Sequence, residues 1–149
     1  MKISCNLLRQ FGNISISDEE IVTIIKEHIG EVDYSNNLRK EYKNIVIAEI
    51  KEKADHPDAD KLGVYKIDCG ESEYIQVVAG DKLLQIGDKV AYMKVGSVVP
   101  YSVHTEQEPF EIKRVKLRGI ESNGMMGSEK ELNVGNDHHR VMVLPNEAP

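Results

Sequence analysis

A chain of 149 residues with 40% hydrophobic content is long enough for one ordinary domain and apolar enough to bury a core, which sets aside a disordered tail. Its formal net charge of -6 excludes a polycation that holds nucleic acid by bulk charge, so any nucleic-acid site must be a local patch. No apolar run reaches the roughly 20 residues that span a bilayer, and the start, Met1-Lys2-Ile3-Ser4, lacks the apolar stretch of a signal peptide, so the expected location is cytoplasmic.

In chain order, Met1 to Cys5 read as a strand, followed by a helical turn through Leu7, Leu8 and Phe11 that Gly12 ends. Ser17 and Glu20 stand at capping-box spacing. Behind them Ile21, Ile24, Ile25 and Ile29 recur at helical intervals until Gly30. The run Tyr34-Ser35-Asn36-Asn37 is polar and turn-prone, and the periodicity changes beyond it. The expected division is a small N-terminal α/β segment over 1–39 and a second domain over 40–149.

From there the chain is written in short β-type runs: Ile45 to Ile50, Leu62 to Asp68, Tyr74 to Val78, Lys89 to Val95, Ile112 to Leu117 and Val141 to Leu144. Turn residues separate them at Cys69-Gly70, Gly80-Asp81, Gly87-Asp88 and Arg118-Gly119. Short strands with no long helix between them predict a mainly β fold with antiparallel pairing in a closed or nearly closed barrel. Cys5 and Cys69 lie far apart without CxxC spacing and read as small buried hydrophobes. Trp is absent and aromatics are 5%, so backbone phosphate and shape are better targets for this surface than stacked bases.

Three segments carry candidate chemistry. Lys113, Arg114, Lys116 and Arg118 surround Val115 and Leu117; on a strand, period two sends the two apolar residues inward and Arg114, Lys116 and Arg118 outward. Such a row tracks phosphates, or is a solvated face whose lysines guard an edge against aggregation. In His56-Pro57-Asp58-Ala59-Asp60-Lys61-Leu62, Pro57 forces His56 out of the helical region. Asp58 and Asp60 suit a tight turn whose carboxylates bond nearby amides and present Lys61 at a fixed place. Asp137-His138-His139 reads as a polar loop, since adjacent side chains on extended backbone point apart and make poor joint metal ligands. No phosphate-cradling glycine loop, dinucleotide fingerprint or nucleophile elbow is present, and no catalytic or metal-ligating set is expected.

The blocks HPDADKL (56–62), YKIDCG (65–70), IQVVAG (75–80), IGDKVAYMKVGSVVP (86–100) and IKRVKLRGIESNGMMGSEKELNVG (112–135) together resemble the EMAP II-like tRNA-binding domain, and their order covers nearly all of 44–144. The opening MKISCNLLRQF, the capped helix and GEVD at 30–33 are similar to the start of bacterial phenylalanyl-tRNA synthetase β subunits. The resemblance implies an OB-fold barrel that helps hold tRNA, inserted into a small α/β domain whose second half would begin where this chain stops, at Pro149. It implies a fragment of a phenylalanine-tRNA ligase, a class II aminoacyl-tRNA synthetase working as an (αβ)2 heterotetramer. ATP and Mg2+ would serve the parent enzyme, and its catalytic centre would lie in the α subunit.

Carried onto this sequence, the tRNA-facing motif positions fall on His56, Asp60, Lys61, Lys116, Arg118, Ser122, Asn123 and Met125, to which the basic row adds Arg114. Ser122 and Asn123 would offer hydrogen bonds to sugar or an unpaired base. The chain departs from many β subunits at Ala79 and at Gly127-Ser128, where those carry cysteine before glycine and Cys-Ser; both changes remove side chains without adding charge. The alternatives are a docking or dimerisation module of the synthetase, using the apolar helix at Ile21 to Ile29, and a free-standing tRNA-binding protein.

Overall fold

The structure, a computed structural model, describes residues 3–101 and 110–148. The chain divides into two compact units, one up to Asn37 and one from Leu38 onward.

In the first unit, α1 (Cys5–Phe11) and α2 (Asp18–His28) are both started by serine caps. The Ser17 hydroxyl accepts the Glu20 N–H at 3.2 Å while the Glu20 carboxylate accepts the Ser17 N–H at 2.8 Å, the reciprocal box its sequence spells out. Those bonds from Ser17 hold the Glu20 carboxyl below its ordinary range. Arg9 joins the helices by pairing with Asp18 at 2.6 Å and donating to the Ile16 carbonyl at 2.8 Å. The strand expected over Met1 to Cys5 is corrected: the Ser4 hydroxyl takes the Leu7 N–H at 3.3 Å and starts a helix at Cys5, and Met1 and Lys2 lie outside the described residues. Among the described residues this segment is helical rather than α/β. Of its apolar stripe only Ile21 is buried; Ile24 is 43% and Ile29 76% exposed.

The second unit opens with a single helical turn, α3 (Leu38–Glu41). Its strands are β1 (Ile45–Asp55), β2 (Gly63–Asp68), β3 (Ile75–Ala79), β4 (Lys89–Met93), β5 (Val98–Val99), β6 (Phe110–Glu111), β7 (Val115–Leu117), β8 (Ile120–Ser122), β9 (Met125–Met126) and β10 (Val143–Leu144). The first half of β1 pairs antiparallel with β4 and its second half with β2, while β2 pairs with β3. A register shift between Ile50 and Glu52 bulges β1 at Lys51 and lets one long strand bend around the sheet. The edge of β3 is taken by the segment 121–123: Asn123 N–H donates to the Gln76 carbonyl at 2.9 Å, the Gln76 amide to the Glu121 carbonyl at 2.8 Å, and Val78 N–H to the Ser122 hydroxyl at 3.0 Å. A few residues on, β9 pairs with β4. The circuit β1-β2-β3-(β8, β9)-β4 makes a nearly closed antiparallel barrel of the OB type.

Inside it pack Ala48, Ile50, Tyr65, Ile67, Val77, Leu84, Val90, Tyr92 and Met126. Period two divides β4 between two cores: Val90 and Tyr92 face the barrel, while Ala91 and Met93 face a smaller cluster with Val99, Ile112 and Leu132. That division explains why Val90–Met93 is apolar without a break. Gly124, at φ 118°, carries the chain from β8 to β9 so close to β4 that a Cβ there would strike the Tyr92 ring and the Met93 carbonyl. The two cysteines are partly rather than fully buried. Among the described residues, no helix is long and apolar enough to cross a membrane.

Candidate nucleic-acid interface

The turn between β1 and β2 is organised by His56, which is 4% exposed. Its Nδ1 accepts the Asp58 N–H at 3.1 Å, which places the ring proton on Nε2, and Nε2 lies 2.9 Å from the Leu117 carbonyl at the end of β7. Expected to be bonded by aspartate side chains, the turn is held instead by the imidazole, by His56 N–H to the Leu62 carbonyl at 3.2 Å and by Leu62 N–H to the Ala59 carbonyl at 2.9 Å. A ring reaches both the local amide and a strand distant in sequence, which a carboxylate on the turn does not. Asp58, Asp60 and Lys61 are exposed. Lys82 donates to the Asp60 carbonyl at 3.2 Å and pairs with Asp55 at 2.5 Å, buttressing the turn from the β3–β4 loop.

β7 and β8 form a separate two-stranded ribbon with the register Val115↔Ser122, Lys116↔Glu121, Leu117↔Ile120. Its two-residue turn puts Arg118 at φ 46° and Gly119 at φ 89°, the mirror-image turn that matches strand twist. Lys116 shares a face with Glu121, and Val115 and Leu117 share the other with Ile120 and Ser122. The expectation that Val115 and Leu117 fill the barrel is corrected: they remain 44% and 36% exposed, because among the described residues β7 pairs with β8 alone and stands off the wall. Nor do the three cations form one strand's outer row. Arg114 precedes β7, Lys116 lies within it, and Arg118 occupies the turn, where its Nη1 donates to the Asp58 carbonyl at 3.1 Å.

Two bonds thus bring the sequence blocks 56–62 and 116–118 together, His56 to Leu117 and Arg118 to Asp58. The SNGM block is placed differently. Ser122 is 1% exposed and its hydroxyl donates to the Gly124 carbonyl at 3.1 Å while accepting from Val78, so it ties strands and offers nothing to a sugar or base. Asn123 is half-buried; its carbonyl accepts the Tyr92 hydroxyl, and its side-chain Oδ1 is buried without a partner among the described residues. Met125 packs against the smaller core. His138 and His139, expected to point apart, instead bring their ring centroids within 3.9 Å, as Asp137 curls the loop by accepting the His139 N–H at 2.8 Å.

Charge pairing separates this corner from the rest of the barrel. Lys51 pairs with Glu49 at 2.9 Å, Lys66 with Glu52 at 2.8 Å, Lys94 with Glu71 at 2.7 Å and Arg140 with Asp81 at 3.1 Å. Arg114 has only a loose 3.7 Å approach to Glu121, and Arg118 meets a neutral carbonyl. Lys61, Lys113 and Lys116 have no carboxylate at ion-pair distance among the described residues. Elsewhere Lys53 and Lys89 give their ammonium groups to main-chain carbonyls and Lys130 lies 5.7 Å from the Tyr101 ring centroid, so the corner is where cations without a carboxylate are gathered together. Sequence reasoning found the residues; it missed the pairing, which needs distances, and missed Lys82, whose only signal was its place beside Asp81 in a turn.

The sequence profile of the family described as "Putative tRNA binding domain" matches residues 45–149. Among curated proteins, the chain is similar to the phenylalanine–tRNA ligase β subunits of Idiomarina loihiensis (40% identity), Coxiella burnetii (34%) and Fusobacterium nucleatum (35%). Each match covers 100% of this chain and 18% of the relative, so the chain spans less than a fifth of their length. Among solved structures, the C-terminal domain of Plasmodium vivax p43 aligns at 26% identity with a TM-score of 0.42, covering 56% of this chain and 44% of that one.

Proposed function

The chain belongs to the tRNA-binding domain family, and from that premise we propose that it holds tRNA through the corner where the 56–62 turn meets the β7–β8 ribbon. The observation that carries this reading is the set of unneutralised cations: Lys61, Lys116 and Arg118, with Arg114 and Lys113 beside them, on a chain whose net charge is -6. Open cations displace the counterions condensed on a phosphate backbone, whereas cations already paired with carboxylates do so poorly. Asp60 and His56 shape the corner, and Asn123 and Met125 lie at the foot of the ribbon.

The relatives' names extend the proposal to the parent protein. This piece serves a β subunit of phenylalanine-tRNA ligase, a cytoplasmic enzyme that joins phenylalanine to its tRNA with ATP and Mg2+ beside an α subunit in an (αβ)2 assembly. The residues described here deliver tRNA and take no part in the chemistry. A docking role for the first unit is favoured by a separate observation, the exposure of Phe11 (84%), Ile29 (76%) and Leu7 (51%). That surface suits the α subunit or another part of the β subunit.

Titration with tRNA across salt concentrations tests the reading. The Arg114→Gln, Lys116→Gln, Arg118→Gln triple variant should weaken binding and lower the magnitude of the log-log salt slope by roughly 2 to 3, with the melting temperature unchanged. The paired-cation control, Lys51→Gln with Lys66→Gln and Lys94→Gln, should keep the wild-type slope. Equal slopes in all three proteins would remove the corner from consideration.

A further inference from the structure

The β7–β8 ribbon carries the open cations, yet little of its own structure fixes where it points. Among the described residues β7 has one strand neighbour and its apolar residues are half-exposed, and an isolated two-stranded hairpin is marginal in water. At its foot, β8 is sewn to β3 through Ser122 and Asn123. At its tip the described contacts are the Arg118 bond to Asp58 and the His56 bond to Leu117. Of these two, the arginine is itself a candidate for phosphate and is exposed, while His56 is 4% exposed and has both ring nitrogens spent within the protein.

We infer that His56 does not touch RNA but is a positioning residue, which docks the tip of the β7–β8 ribbon onto the 56–62 turn and so sets Lys116 and Arg118 at a fixed distance from Lys61. This rests on the RNA-binding reading of that corner and assigns a division of labour within it. The imidazole performs two separable tasks. Nδ1 closes the local turn by accepting from Asp58 two residues on, as an asparagine oxygen does in an Asx turn; Nε2–H crosses to the ribbon. The placement is why a ring is used: its two nitrogens point in opposite directions from one rigid, buried plane.

That separation supplies the test. An asparagine oxygen sits two bonds from Cβ, as Nδ1 does, and a glutamine amide nitrogen sits three bonds out, as Nε2 does. His56→Asn therefore retains the turn and loses the ribbon; His56→Gln retains the bond to Leu117 and loses the turn's acceptor. Both variants and wild type would be read by amide hydrogen exchange over 115–122 and by tRNA titration at two salt concentrations.

Expected in His56→Asn are faster exchange over the ribbon and affinity weaker by about three- to tenfold, the size of one lost hydrogen bond. His56→Gln should keep ribbon exchange and bind within about threefold of wild type. Equal binding by His56→Asn and wild type, or equal losses in both variants with ribbon exchange unchanged, would overturn the positioning role. Should wild type fail to bind tRNA at all, the functional reading falls, while exchange over 115–122 still decides whether the histidine holds the ribbon.

Discussion

The barrel wall and the β7–β8 ribbon are both antiparallel β-structure with alternating sequence, yet they are held by different means. Ile50, Ile67 and Val77 in the wall are fully buried, whereas Val115 and Leu117, in an equally good alternating run, keep 44% and 36% of their surface in water. Cations follow a related division. On the wall Lys51, Lys66 and Lys94 are paired with carboxylates and Lys53 and Lys89 give their ammonium groups to main-chain carbonyls. On and around the ribbon Arg114 has a loose 3.7 Å pair, and Lys113 and Lys116 have no carboxylate at ion-pair distance among the described residues. Alternation specifies two faces of a strand; only the neighbouring elements decide whether either face meets a core. The wall owes its stability to area removed from water, the ribbon to a few hydrogen bonds at its foot and tip.

The sharpest way to break that contrast is to truncate one apolar residue in each region. Ile67→Ala should cost about 2–5 kcal/mol, since it empties a fully enclosed site, while Leu117→Ala should cost less than about 1 kcal/mol. Chemical denaturation measures both, and equal losses would mean the ribbon is a packed part of the wall. Next in size is Ser122→Ala, which strips the buried Val78 N–H of its acceptor and should cost about 1–3 kcal/mol. A cost near zero would show that the ribbon's foot is not sewn where it meets β3. Smallest in stability but informative for function is Arg118→Asn. Asparagine tolerates the left-handed conformation better than arginine, so stability should hold or rise by up to about 1 kcal/mol while tRNA affinity drops. A variant that is destabilised and binds normally would mean that Arg118 serves the turn alone.

The wall and the ribbon also differ in how plainly their sequences encode them. The capped helix was legible because Ser17, Glu20 and the isoleucine spacing are local signals, and β1 to β4 were legible because their apolar faces meet a core. The segment Ile112 to Leu117 misled: Ile112 is buried in the smaller cluster without belonging to a strand, and the strand proper starts at Val115. β5, β6, β8 and β9 have two or three residues each, too few to show a period. At the site, Lys61, Lys116 and Arg118 stood out by type and spacing. What could not be read was that Ser122 turns inward and that His56 spans to Leu117, since both depend on partners more than forty positions away.

The circuit that closes the barrel also orders the birth of the fold. Strands β1 to β4 leave the ribosome in sequence and can pair among themselves, but the free side of β3 has to wait for β8, and the second side of β4 for β9 and then β10, all of which come only after the long excursion through β5 to β7. Until then the growing chain carries two unpaired strand edges lined by valine and isoleucine, the kind of surface on which neighbouring nascent chains pair with one another. Slow synthesis between Met93 and Ile120 is therefore the interval in which this protein is most exposed to aggregation; the arrival of Ser122 and Met126 shortens the exposed edges, and Val143 and Leu144, pairing with Val90 and Lys89, close the last of them.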